Sequence, residues 1–370
     1  MKNQQISEFL QSRIVAGDFP SAVYLVAEKG EIVFQDALGF AVVEPEKIEA
    51  GIDTIYDLAS LTKVLATGLP TAKLIESGEI NLQDKIAKYF SEFNREDKRE
   101  ITIQNLLTHT SGFINWKPFY LITNFKSKIT NVIASEPLAN PVNSTVVYSD
   151  LNFIILGFLL EKLYGKSFSE IADEEVFQTL KLRNTFFNPP RSRRDEFAAT
   201  EFGNYHEKNA CLELGYDVSN HDWRDYQISG EVHDGNCWFM DGVSGHAGLF
   251  SNAEETFKIA QQFLAEESVL LEPETCQLFR ANFTPGLNEA RSLAFQLAAT
   301  PESTASAALS KDSFGHLGFT GTSLWIEPET ERIFILLTNR THARALPFVN
   351  INCVRRAFHE IAQNELNSKR

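Results

Sequence analysis

Strand-like runs gather at the two ends of this chain, and that placement narrows the folds open to it. Residues 21–27 and 31–37 are rich in β-branched and aromatic side chains and join at Glu28-Lys29-Gly30, whose glycine suits a tight hairpin. Residues 323–326 and 332–338 form a second pair around the turn Pro328-Glu329-Thr330. Between the pairs the periodicity is mostly helical. The sequence therefore predicts an α+β fold: an antiparallel sheet flanked by helices, plus a mostly helical lobe, with a pocket where the two meet. The sheet region is expected to span about 1–58 and 242–370, the helical and loop lobe about 70–241, and the whole of 1–370 to act as one catalytic domain.

Finer expectations follow along the chain. Ile6, Phe9, Leu10 and Ile14 recur at helical spacing, and Gly17-Asp18-Phe19-Pro20 ends that helix. An apolar helical run over 64–75 contains Pro70, which is expected to kink it. Residues 188–241 carry weak periodicity and are read as long loops able to wall a pocket, and 300–310, rich in Ala, Ser and Thr, as a mobile loop. Asn252, with Glu255 three residues on, is expected to cap a helix over 253–264, and a last helix is expected over 348–365.

Before that apolar run stands Ser60-Leu61-Thr62-Lys63. Residues three apart share a helix face, so a hydroxyl at Ser60 and an amine at Lys63 can meet without help from the rest of the fold. A serine needs such a neighbour to take its proton, and a helix start also offers free N–H groups to an oxyanion. The same tetrapeptide alone also fits a solvated helix start with serine as N-cap. Two elements downstream favour chemistry: Tyr148-Ser149-Asp150 before an apolar helix over 151–163, and Gly315-His316-Leu317-Gly318-Phe319-Thr320-Gly321-Thr322 before the strand at 323.

With these motifs, and with Leu106-Leu107-Thr108-His109-Thr110-Ser111-Gly112 and Gly245-His246-Ala247-Gly248-Leu249-Phe250-Ser251, the chain resembles the serine β-lactamase and penicillin-binding-protein superfamily. The resemblance covers about residues 14–358 and lies with the branch of class C β-lactamases, family VIII esterases, D-aminopeptidases and DD-peptidases. Gly230-Glu231-Val232-His233-Asp234 is similar to a subgroup linked with cell-wall peptide recycling. The resemblance implies a β-lactamase/transpeptidase-like fold and a cofactor-independent serine hydrolase working through an acyl-enzyme. It implies Ser60 as nucleophile, Lys63 and Tyr148 as its proton-handling partners, and the N–H groups of Ser60 and Phe319 as oxyanion hole. Asp150 stands where many relatives carry Asn, and an acid beside Lys63 favours the charged amine and shifts the resting base role towards Tyr148.

His316-Leu317-Gly318 stands where β-lactamases usually carry Lys-Thr-Gly, so a permanent charge and a hydroxyl for a substrate carboxylate are missing. An ester or amide substrate, small-molecule or peptide and possibly cell-wall-derived, is expected, with weak or no β-lactamase activity. Gly318 is expected to let substrate backbone approach the strand edge. His233 is equally open to lining the pocket or holding a turn; His109 and His246 are read first as turn-holding residues. A sensor protein that acylates and then stalls is the alternative reading. Gly-x-Ser-x-Gly of an α/β-hydrolase does not occur, since Gly242-Val243-Ser244-Gly245-His246 fails at its last position.

Net charge −15 and a pI near 5.1 argue against nucleic acid or anionic membrane as partner. No run is apolar and long enough to span a bilayer, and the first ten residues lack the apolar core of a secretory signal, so a cytoplasmic location is expected unless a leader has been removed. Cys211, Cys237, Cys276 and Cys353 are scattered without Cys-x-x-Cys spacing and imply neither a metal site nor a disulfide framework. Oligomeric state does not follow from the sequence.

Overall fold

The computed structural model describes residues 1–369, and it opens with helix α1, Gln4–Ala16. Asn3 caps it by accepting from the Ile6 N–H, and Gly17 ends it in the left-handed conformation its missing Cβ permits (φ 89°). The expected hairpin follows as β1, Ser21–Glu28, and β2, Glu31–Val42, and a short β3, Ile48–Glu49, extends it. At the other end lie β7, Phe314–Leu317, β8, Ser323–Glu327, and β9, Arg332–Thr338, with β6, Gln296–Leu297, at the margin.

These strands form one seven-stranded sheet in the order β3-β2-β1-β9-β8-β7-β6, antiparallel throughout. The two chain ends meet where β1 pairs with β9, Ala22 opposite Thr338 and Glu28 opposite Arg332. Both central strands are buried along their length, so neither shows the clean polar alternation of a one-faced sheet. One face packs α1 and the last helix, Asn352–Ser368, over Tyr24, Trp325, Phe334 and Leu336. The other face carries the larger core, in which Val23, Leu25, Ile335 and Leu337 meet the Ser60 helix and the apolar helix Asp150–Tyr164.

Several local expectations need correction. The segment 314–317, read as a lead-in to a strand, is itself β7 and pairs with β8. The last helix starts at Asn352, four residues later than expected. Asn252 does cap Ala253–Ala260 by accepting from the Glu255 N–H, but the Glu255 carboxylate does not close a capping box. It turns away to accept from the N–H groups of Arg183 and Asn184 and from Thr185 Oγ1. Segment 300–310 is packed: Trp325 Nε1 donates to Thr304 Oγ1, and Ala305 is fully buried. Within 188–241 there is a nine-residue helix, Tyr205–Glu213, and a short one, Gly235–Phe239.

Candidate active site

The nucleophile sits on a turn held from three sides. β4, Tyr56–Asp57, pairs with β5, Phe250–Ser251, and the chain then passes through Ala59 at φ 47°, a left-handed conformation uncommon without glycine. Asp57 holds that conformation: Oδ1 accepts from the Ala59 N–H at 2.8 Å, while Oδ2 accepts from the His233 N–H at 2.8 Å. Thr320 Oγ1 donates to the Asp57 carbonyl and Thr322 Oγ1 to that of Leu58, clamping the loop after β7 against the turn. Gly318 makes this approach possible, because a Cβ there would meet Thr322 Oγ1 at 1.9 Å and the Leu58 carbonyl at 2.6 Å. The glycine thus admits the protein's own chain, not the substrate's as expected.

Ser60 lies in a single 3-10 turn, Ala59–Leu61, followed by a π-helical turn, Lys63–Gly68, and the α-helix Leu69–Glu76. The expected kink at Pro70 is replaced by this widened turn, and Pro70 falls in the first turn of the α-helix, where its missing N–H is least costly. The turn is tied down by Thr67 Oγ1, which donates to the Gly245 carbonyl, and by Thr62 Oγ1, which accepts from the Leu249 N–H. This binds the landmark 245–251 to the nucleophile helix.

Lys63 Nζ is fully buried and donates to Ser60 Oγ at 2.9 Å, to Asp150 Oδ1 at 2.7 Å and to the His246 carbonyl at 3.1 Å. Burial works against its charge, but Asp150 and Tyr148 outweigh it and hold the Lys63 pKa above that of an ordinary lysine. Tyr148 lies with its ring centroid 5.0 Å from Lys63 Nζ. Its phenol oxygen is buried without a close hydrogen-bond partner, and burial raises its pKa although Lys63 pulls the other way. The phenol is therefore protonated at rest, which argues against the expected move of the base role onto Tyr148. His109 supports this corner: its Nδ1 accepts from the Ser149 N–H at 3.0 Å, its ring lies 4.7 Å from that of Tyr148, and burial keeps it neutral.

The N–H of Phe319 makes no hydrogen bond within the fold, and that of Ser60 makes none to another element. Two cavities open at this point. One, of about 340 Å³, lies beneath the helix Tyr205–Glu213 and takes in Ser60, Tyr148, Asp150 and Asp234. The other, of about 480 Å³, runs along β7 past His316, Leu317 and Gly318 to Arg291, Arg340 and Arg355. The two share Ser60, Tyr148 and Phe319.

The Beta-lactamase family profile matches residues 4–351. The chain belongs to the Beta-lactamase family. It is 30% identical over 378 residues to an N-acetylmuramyl-L-alanine amidase of Bacillus subtilis (strain 168), covering 92% of this chain and 81% of that protein. It is also 30% identical over 390 residues to a putative D-alanyl-D-alanine carboxypeptidase of Salmonella typhimurium, covering 95% and 86%. Among solved structures it is similar to EstCE1, a hydrolase with promiscuous acyltransferase activity, with a TM-score of 0.72 at 19% identity over 96% of this chain and 98% of that one. The fold is β-lactamase/transpeptidase-like and the protein is a serine hydrolase of this family, acting on an ester or amide through an acyl-enzyme. No helix among the described residues is long and apolar enough to cross a membrane.

Set in this Beta-lactamase family fold, Ser60, Lys63, Tyr148, Asp150, His233, His316, Leu317, Gly318 and Phe319 all come to the two cavities or their shared wall. His233 does both things expected of it, lining the first cavity while Nε2 pairs with Glu201 Oε2 at 2.9 Å and its ring stacks 5.5 Å from that of Phe319. His246 holds its turn through Ser244 Oγ and Asp234 Oδ1 and offers only its carbonyl to Lys63. His316 Nδ1 donates to the Leu317 carbonyl, leaving Nε2 as a buried acceptor; burial, then Lys63 and Arg291, holds the ring well below its usual pKa and hence neutral. The charge absent at 316 is supplied to the same groove by Arg291, Arg340 and Arg355, which have no local motif and which the sequence reading missed. Asp57, Glu207 and Asp234 were missed as wall residues too. Asp150, Asp234 and His246 each bring one ligand atom within 4.8 Å of the others, a grouping that spacing did not reveal, and the Lys63 ammonium already rests against Asp150 there.

Proposed function

We propose that Ser60, Lys63 and Tyr148 carry the acyl transfer, with residues 1–370 working as one catalytic domain. The observation that carries this reading is a fully buried lysine 2.9 Å from the serine hydroxyl, at a point where two cavities meet. When substrate displaces water, a buried ion pair loses its solvation, and a proton passes from Lys63 to Asp150 along their 2.7 Å contact. The amine then takes the Ser60 proton as Oγ adds to the carbonyl, and the N–H groups of Ser60 and Phe319 receive the oxyanion. On collapse Tyr148 gives its proton to the leaving group and is reprotonated by Lys63. Water repeats the sequence on the acyl-enzyme, its proton going to Lys63 and on to Ser60 Oγ as the acid departs, and product release restores the ion pair.

Tyr148 also assigns the sides. Arg291, whose guanidinium lies 5.7 Å from the Tyr148 ring centroid, marks the arginine groove as the leaving-group side. Relatives named as an amidase and a carboxypeptidase support a cell-wall-derived amide as substrate. A neutral His316 and an apolar Leu317 support weak β-lactamase activity, and the acidic composition with no apolar leader core supports a cytoplasmic location. The test is turnover of p-nitrophenyl acetate and butyrate beside the chromogenic cephalosporin nitrocefin, for wild type and Ser60→Ala. Ester turnover lost in Ser60→Ala, with little nitrocefin turnover, is expected. Undiminished turnover in the variant contradicts the nucleophile, and fast nitrocefin turnover contradicts the argument from His316.

A further inference from the structure

The cavity opposite the arginine groove has a chemistry of its own. Four carboxyl groups line it, yet most of their oxygens are already committed. Both oxygens of Asp57 accept main-chain N–H groups, and those of Glu207 accept from the Gly235 N–H at 2.7 Å and from Tyr120 Oη at 2.9 Å. Asp150 Oδ1 takes Lys63, and Asp234 Oδ1 takes His246 Nε2 and the Cys237 N–H. What remains toward the cavity is one oxygen of each of two adjacent carboxylates, Asp150 and Asp234, whose side chains are 16% and 23% exposed. The buried Tyr148 hydroxyl, without a partner of its own, lines the same space.

The charge there is smaller than the count of acids suggests. Asp150 is offset by Lys63, and burial, helped by Asp234, pushes the Glu207 carboxyl up to about 7. The cavity thus presents spare acceptors with little excess charge, between the aromatic rings of Trp116 and Phe319. A group that suits such walls is neutral, rich in hydroxyl and amide donors, and bears apolar C–H faces to lay on the rings. A sugar has all three properties. An ammonium would suit the carboxylates but would compete with Lys63 for Asp150.

We infer that this cavity is the subsite for a sugar-bearing acyl group, held by Asp234 and Trp116, with the amine of the scissile amide leaving into the arginine groove. This rests on the reading of Ser60 as acyl-transfer nucleophile. The acyl group is the part that stays on Ser60 Oγ, so the subsite acts on both acylation and deacylation, and binding energy from the sugar is available to the chemistry.

The test compares two amides with the same scissile bond, N-acetylmuramyl-L-alanine and N-lactyl-L-alanine, by release of alanine. The sugar substrate is expected to have a kcat/KM about 100-fold higher, from hydrogen bonds to charged acceptors and ring contact. Asp234→Asn and Trp116→Ala are each expected to lower that ratio by about tenfold, with folding checked by thermal melting. A ratio near one in wild type overturns the inference, whatever the variants do. So does a preference for an N-terminal ammonium, as in D-alanyl-L-alanine, which would make the cavity a cation subsite. Turnover of p-nitrophenyl butyrate that depends on Ser60, with all three amides inert, overturns the sugar subsite and leaves the nucleophile standing. Inertness toward ester and amides alike removes both readings.

Discussion

Replacing Asp150 by Asn separates the charge of this residue from its shape. At 2.7 Å, two unit charges attract by about 6 kcal/mol at an effective dielectric constant near 20. Partial exposure of Asp150 reduces this to the roughly 3–5 kcal/mol lost when one partner of a buried pair is removed. In the variant, burial dominates Lys63 and its pKa falls by about two to four units, at about 1.4 kcal/mol each, to below that of a free lysine. The sign follows from linkage. In wild type the raised folded-state pKa gives stability that is complete below the ordinary lysine pKa and is lost only as pH rises through the raised value. In Asp150→Asn the depressed pKa gives a deficit that is complete below that value and shrinks as pH rises towards about 10.4. Urea unfolding near pH 7 and near pH 9.5 is therefore expected to show a larger deficit at the lower pH. Catalysis moves with it. The wild-type pair needs no net deprotonation, because its own proton shifts onto Asp150. The variant must lose the Lys63 proton to solvent, so the acidic limb of kcat/KM moves to higher pH, with a loss of about ten- to a hundredfold near pH 7 that recovers in alkali. A pH–rate profile and an unfolding deficit both unchanged with pH would refute the reasoning and leave Asp150 as a packing residue.

Two further predictions concern the walls. Gly318→Ala places a Cβ against Thr322 Oγ1 and the Leu58 carbonyl, so the loop carrying the Phe319 N–H must shift; kcat is expected to fall about a hundredfold with KM little changed, and wild-type kcat would contradict the oxyanion role. Glu207 has its pKa raised to about 7 by burial, so ionising it costs folded-state stability as pH rises from the ordinary glutamate range through about 7. Wild type should therefore lose up to about 3 kcal/mol between pH 5 and 8, and Glu207→Gln should lose that dependence. An identical pH slope in the two proteins would contradict the assignment.

The sequence revealed most where one physical signal dominated. The hairpin, the capped first helix and the Ser60–Lys63 spacing all depend on near neighbours, and each is present in the structure. Segment 205–213 escaped because its pattern is inverted: Glu207 and Cys211 are buried toward the cavity, while Leu212 is 53% exposed. The π-helical turn escaped because it is fixed by Thr67 reaching a carbonyl far along the chain. Arg291 and Arg355 stand in the groove only because β7 and the last helix are brought beside Tyr148, a placement no spacing encodes. The polar composition of 300–310 suggested mobility, yet Thr304 is tied to Trp325 and His359.

The central claim is that Ser60 becomes acylated. The direct measurement is intact-protein mass spectrometry of wild type and Ser60→Ala quenched during p-nitrophenyl butyrate turnover, with peptide mapping of any adduct. One butyryl group on the peptide bearing Ser60, absent from Ser60→Ala and decaying as turnover ends, is the predicted result. An adduct that persists in Ser60→Ala, or that maps to another residue, would contradict the account.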